Sequence, residues 1–215
     1  EDLRDAYTGA LEETILTEVV ANALDSGATR IRLLTSPAEA TLTIVDDGRG
    51  MQRRELARYH DVAASTKRRG EGIGFAGVGI KLGLLASREV ITETRRGITH
   101  VATRWHLASR HRAPWKWIPP TGLTGSRGTA VQLALTNHLS PLLDAGYLEE
   151  TVRRHFEPLL DPAFDDLLRR HYPHPVAFEV DGRALPRAVV PGSERVPISI
   201  RLGRRRTPSV TGFVE

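Results

Sequence analysis

Three groups of residues in this 215-residue chain combine types and spacings that could do chemistry. The first is Asp46-Asp47-Gly48-Arg49-Gly50-Met51, which follows the alternating run Thr41-Leu42-Thr43-Ile44-Val45. That alternation predicts a strand ending at Asp46. A carboxylate placed there can accept a hydrogen bond from an exocyclic amine, and Gly48 and Gly50 leave room for a planar ring against the backbone. The plainer alternative is an acidic turn joining the strand to a helix over residues 52–59. The second group is Glu18, Asn22 and Asp25, at i, i+4 and i+7, which stack on one side of a helix. They could be only its wet face, yet that face carries no Lys or Arg between residues 11 and 25. The third is a run with five glycines in the ten residues 70–79, which leads into a helical pattern over Val78, Ile80, Lys81, Leu82, Leu84 and Leu85. A glycine-rich loop entering a helix N-terminus is an anion site, because free N–H groups and the helix dipole both favour negative charge. Lys67 and Lys81 flank it and could add point charges for phosphate.

Two familiar phosphate motifs do not fit. Gly72-Ile73-Gly74-Phe75-Ala76-Gly77 is formally GxGxxG, but Lys67-Arg68-Arg69-Gly70-Glu71 precedes it where a dinucleotide fold needs a strand. No Gly-Lys-Ser/Thr follows the glycines, so a Walker loop is excluded as well.

The elements that must position these groups are legible in outline. Ile15, Leu16, Val19, Val20, Ala23 and Leu24 form an apolar stripe over residues 11–25, with Gly27 as a stop. Arg30–Leu34 and Ala40–Val45 read as an antiparallel hairpin, which brings the polar side of the helix near Asp46. Further strands are expected over 89–94, 98–107, 115–118 and 130–136, then a helix over 147–170 and a strand-turn-strand over 178–185. Two more strands are expected over 196–202 and 210–214. Trp105, Trp115 and Trp117 read as core or sheet-face packing, and the eight histidines show no metal-ligand spacing.

Composition narrows the class. With 40% hydrophobic residues the chain can bury a substantial core, and without cysteine it has neither disulfides nor thiolate metal sites. No run approaches membrane-spanning length. The formal charge of +4 permits nucleic-acid contact without requiring it. The chain opens at Glu1 without an initiator Met and ends in a strand-like run, so it is expected to be a fragment of a longer protein.

In order, Glu18-x-x-x-Asn22, Asp46-x-Gly48-x-Gly50, Gly74-x-x-Gly77-x-Gly79 and Gly128-Thr129 resemble the ATPase domain shared by gyrase B, the heat-shock chaperone ATPases, histidine kinases and MutL, the GHKL superfamily. The stretch from Glu18 to Ala28 is most similar to MutL and MORC proteins, and Gly77-Val78-Gly79-Ile80-Lys81 to the chaperone and MORC versions. The resemblance covers residues 10–136. It implies an α+β fold, a two-layer α/β sandwich of the Bergerat type whose mixed, largely antiparallel sheet carries helices on one face. The expected division is an ATP-binding domain over 1–138, then a helical linker and the start of a transducer-like domain over 139–215, with Asp181-Gly182-Arg183-Ala184-Leu185 near its start.

The resemblance also implies roles. Glu18 corresponds to the general base that activates water, and Asn22 to the Mg²⁺ ligand, with Asp25 beside it. Asp46 corresponds to the carboxylate that reads adenine, with Thr129 as its hydroxyl helper. Gly48 and Gly50 would floor the base, with Met51 next to them in the site. Gly74, Gly77 and Gly79 would form the phosphate-cradling turn, with Lys81 as a phosphate contact, and Val78, Ile80 and the flanking Lys67 are counted with the same nucleotide site. ATP and Mg²⁺ are the implied cofactors, and an ATP-dependent homodimer, cytoplasmic or nucleoid-associated, is the implied assembly. The lid segment, residues 60–77, is expected to order over ATP. The alternatives are a histidine kinase catalytic domain or a nucleotide switch that does not hydrolyse. The kinases usually carry a basic residue where this chain has Asp25, and they end soon after the last nucleotide strand.

Overall fold

The computed structural model describes residues 11–60, 79–109, 112–188, 196–200 and 210–214. Helix α1 (Leu11–Asp25) buries Ile15, Leu16, Val19, Val20, Ala23 and Leu24, the stripe its periodicity predicts. The chain then pairs β1 (Arg30–Ser36) with β2 (Thr41–Asp46) as the expected antiparallel hairpin. Asp47 locks the open end of that hairpin: its carboxylate accepts from the N–H groups of Thr29 (2.7 Å) and Arg30 (2.9 Å) and from the Thr29 hydroxyl (2.7 Å). Of the two adjacent aspartates, this one is structural.

Helix α2 (Arg53–Tyr59) starts one residue later than the pattern suggests, because the Gln52 N–H donates to the Glu55 carboxylate (2.6 Å) as its N-cap. Helix α3 (Gly79–Ala86) leads into β3 (Ser87–Arg96), followed by β4 (Thr99–Trp105), β5 (Trp115–Ile118) and β6 (Gly128–Leu135). Helix α4 (Ala145–Leu160), a short α5 (Asp165–Leu168) and the hairpin β7 (Ala177–Val180) and β8 (Arg183–Ala184) complete the larger unit. Strands β9 (Val196–Ile200) and β10 (Val210–Val214) pair with each other in a separate two-stranded sheet.

The main sheet has eight strands in the order β5-β4-β3-β6-β2-β1-β7-β8. Every neighbouring pair is antiparallel except β1 and β7. One hydrophobic cluster joins α1, Leu82 and Leu84 of α3 and Leu148, Val152 and Phe156 of α4 to alternate residues of the strands, among them Ile31, Leu33, Ile44, Val131 and Leu133. Alternation puts those strand residues on one side, so the helices cover one face, and the architecture is the expected α+β one. Residues beyond 138 continue this assembly: α4 packs on α1 and β7 extends the sheet from β1.

The helix expected over 147–170 is corrected by the structure. It ends at Leu160, after Phe156 leaves helical geometry and Pro158 removes a donor. Asp161 then caps a new 3₁₀ turn at Pro162–Phe164, accepting from the Ala163 N–H at 2.9 Å. Apolar periodicity carried across both prolines, and backbone geometry did not follow it.

On the face away from the helices, Glu93 of β3 is completely buried under the loop between β5 and β6. It accepts from Thr121 through N–H (2.6 Å) and hydroxyl (2.7 Å), and from Thr124 through N–H (3.2 Å) and hydroxyl (2.8 Å). The His100 Nε2 lies 2.9 Å away.

Candidate functional site

Where α1 passes the ends of β2 and β6, a cavity of about 450 Å³ opens. Val19, Ala23, Ile44 and Val131 give it apolar walls, and Asn22, Asp25, Ser26, Asp46 and Thr129 supply polar groups. Gly50, Met51 and Tyr59 close the side formed by the loop after β2 and the end of α2. Such a cleft, mostly apolar with a few convergent polar groups, has the character of a small-molecule site.

Asp46 is its most distinctive group. Among the described residues all its hydrogen bonds fall on Oδ1: from the Gly48 N–H (2.8 Å), the Thr129 N–H (3.3 Å) and the Ser26 hydroxyl (3.4 Å). Burial pushes its carboxyl up to about 6, against the pull of these donors. The carboxylate is thus held in one orientation and keeps its second oxygen for a partner.

The glycines of the loop make room first for the protein itself. A Cβ on Gly48 would stand 1.7 Å from the Ser26 hydroxyl and 2.9 Å from Asp46 Oδ1. Gly50 has φ of +65°, and a Cβ there would meet the Arg95 carbonyl at 2.2 Å. The Arg127 guanidinium donates from Nε to the Gly48 carbonyl (2.8 Å), and the Met51 N–H donates to the Thr94 hydroxyl (2.8 Å). The loop is therefore fixed from below by β3 and from the side by the segment entering β6.

Asn22, Asp25, Asp46, Gly50, Met51 and Thr129 come together at the cavity as the sequence suggests. Gly48 sits just behind, bonded to Asp46. Glu18 is buried one turn before Asn22 and does not line the cavity. Gly79, Ile80 and Lys81 open α3. Lys67, Gly74, Gly77 and Val78 lie outside the described residues, and so does the expected lid beyond His60.

The sequence did not single out Ser26, Tyr59, Thr94 or Arg127. Thr92 and Thr94 are polar residues at alternate, inward positions of a strand, a signal that was there to be read. Tyr59 and Arg127 carry no comparable pattern. His60, next to Tyr59, is structural: Nδ1 lies 2.7 Å from the Leu56 carbonyl, and the ring stacks on Trp115 at 4.7 Å. Burial holds its imidazole down at about 4, and hence neutral.

The model of the family described as "Histidine kinase-, DNA gyrase B-, and HSP90-like ATPase" matches residues 9–121, which include Glu18, Asn22, Asp46, Gly48 and Gly50 and stop short of Thr129. The chain is 35% identical over 130 residues to the DNA mismatch repair protein MutL of Heliobacterium modesticaldum, an alignment covering 56% of this chain and 18% of that protein. The chain thus spans less than a fifth of the length of the curated relative it matches.

Proposed function

The chain belongs to the family of histidine kinase-, DNA gyrase B- and HSP90-like ATPases, and on that premise we propose that its cavity binds Mg·ATP, hydrolyses it slowly and uses it to gate dimerisation. The ATP-binding ATPase domain is the family's common part. Hydrolysis, the metal and the dimer are the further steps proposed here.

The observation that carries the proposal is Asp46. A carboxylate whose Oδ1 is tied to Gly48 and Thr129 offers Oδ2 to a donor in an apolar cleft, and the exocyclic amine of adenine is such a donor. Thr129, which also lines the cavity, would meet the neighbouring ring edge.

Asn22, which lines the cavity, would hold Mg²⁺ through its side-chain oxygen. Among the described residues no group of three or more His, Asp or Glu forms a metal cage, which suits an ion bound mainly by phosphate oxygens and water. When bound, the ion supplies charge neutralisation at the phosphates. Glu18, one turn from Asn22, would accept the proton of a water whose oxygen attacks the γ-phosphorus as the bond to the bridging oxygen breaks. The first residues of α3, from Gly79, would give backbone N–H groups to the phosphates, and Lys81 a charge. Residues 139–215 are proposed as the link and first part of a transducer-like unit, with MutL- or MORC-type clients.

The test is size-exclusion of the full-length protein with and without a non-hydrolysable ATP analogue, alongside calorimetric ATP binding. The expected result is micromolar-range binding, on the order of −8 kcal/mol, and a shift to dimer with the analogue. Binding without a shift removes the gated dimer and leaves the ATP site. No binding removes both.

A further inference from the structure

Thr94 makes no contact with the cavity surface, yet it is the most connected hydroxyl beneath it. It is completely buried, and it sits directly across from Thr129 in the β3–β6 pairing. Its Oγ1 accepts from the Met51 N–H at 2.8 Å, lies 3.1 Å from the Gly128 carbonyl and lies 3.2 Å from the Thr129 hydroxyl.

Counting protons limits the arrangement. Thr94 has one proton, and the Gly128 carbonyl has none to give, so the carbonyl can only accept. Met51 can only donate. The Thr94 proton has two acceptors in reach, the Gly128 carbonyl and the Thr129 hydroxyl oxygen, and Oγ1 accepts from Met51 in either arrangement. With that proton on Thr129, the Thr129 oxygen is engaged by Thr94 and its own proton is left to point into the cavity. Moving the Thr94 proton off Gly128 costs a single neutral hydrogen bond, which the one to Thr129 replaces. Thr129 is anchored at the same time through its N–H to Asp46 Oδ1.

We infer that Thr94 is a positioning residue for base recognition: it holds the Thr129 hydroxyl in line with Asp46 so that the site presents an acceptor and a donor side by side. Adenine offers the complementary pair, a donor at its exocyclic amine next to an acceptor at N1. This deepens the proposed function and rests on it.

The experiment measures affinity for ATP and for 1-deaza-ATP, which keeps the amine but lacks the N1 acceptor, in the wild-type protein, Thr94→Ser and Thr94→Val. Thr94→Cys, close in size and a far weaker donor, stands in should Thr94→Val fail to fold. Wild type and Thr94→Ser should prefer ATP about tenfold, the worth of one well-placed hydrogen bond. Thr94→Val and Thr94→Cys should lose most of that preference while still binding 1-deaza-ATP within about twofold of wild type. A merely structural Thr94 would weaken both nucleotides together. An unchanged preference in Thr94→Val or Thr94→Cys overturns the inference, as does a wild type with no preference. A wild type that binds neither nucleotide overturns the ATP-site proposal instead.

Discussion

Asp46 and Glu93 are two carboxylates on the same sheet, Asp46 half-buried at the cavity and Glu93 completely buried, and they have opposite fates. Val45, Ala130 and Glu93 are cross-strand partners in one row, so Asp46 is one residue on from that row and faces the other side. Burial raises both carboxyls. For Glu93, donors on both oxygens from His100, Thr121 and Thr124 outweigh burial and hold it down at about 2. For Asp46, donors reach one oxygen only and burial wins, at about 6. Burial alone therefore does not mark a functional carboxylate. What distinguishes the two is whether the protein completes the set of donors or leaves part of it to something else.

Substitutions can break this contrast. The largest effect belongs to another carboxylate, the buried Glu18. Glu18→Ala should lower turnover by about 10²–10⁴, the range for a lost general base, with ATP affinity within about twofold. Normal turnover in single-turnover assays would remove Glu18 from the chemistry. Next comes Asp46→Asn. The N–H groups of Gly48 and Thr129 would keep the amide oxygen where Oδ1 now lies, so the new NH₂ would face the cavity and oppose the adenine amine. Affinity should fall on the order of a hundredfold, with the melting temperature unchanged or raised. Full ATP affinity in calorimetry would show that Asp46 does not read the base.

Glu93→Gln is the reciprocal experiment. It neutralises a carboxylate that satisfies five contacts and leaves one oxygen replaced by a donor facing donors. A loss of about 2–3 kcal/mol in denaturant unfolding is expected, with ATP affinity unchanged apart from the lower stability. If ATP affinity falls while stability holds, Glu93 belongs to the site and the contrast with Asp46 fails.

The sequence disclosed the residues of the proposed site better than their support. Asp46, the glycines after it and the Glu18–Asn22 pair declare themselves, because their types are rare at such places and their spacing is local. Glu93 could not be recognised as structural, since its partners Thr121 and Thr124 come from a loop about thirty residues away, with no local pattern. The same holds for Arg127 on Gly48 and for Thr94 under Met51, contacts that exist only once β3 and β6 pair. Among the elements, the α1 stripe and the β1–β2 hairpin follow from local periodicity. The break after Leu160 does not, because the apolar pattern runs on past Pro158 and Pro162.

The smallest effect is also the most discriminating, because its sign differs between the two carboxylates. Asp46 titrates near 6 in the folded chain and near 3.8 when unstructured. Between these values the folded state keeps a proton that the unfolded state has released, so its contribution to stability falls as pH rises from about 4 to about 6. Glu93 titrates near 2 folded and near 4.5 unstructured, so its contribution is complete above about 4.5 and is lost as pH falls toward 2. Unfolding free energies of wild type minus Asp46→Asn, and of wild type minus Glu93→Gln, should thus slope in opposite directions across these windows. Binding follows the Asp46 branch. With Oδ1 taken by donors, the acid form would carry its proton on Oδ2 and oppose the adenine amine, so the ionised form is the better binder. With a pKa near 6 the ionised fraction rises about tenfold between pH 5 and pH 7, so ATP affinity should rise by up to that factor and then level off. In Asp46→Asn that rise should vanish. An affinity in the wild type that is flat from pH 5 to pH 7 would mean Asp46 is ionised throughout, and that donors complete its set as they do for Glu93.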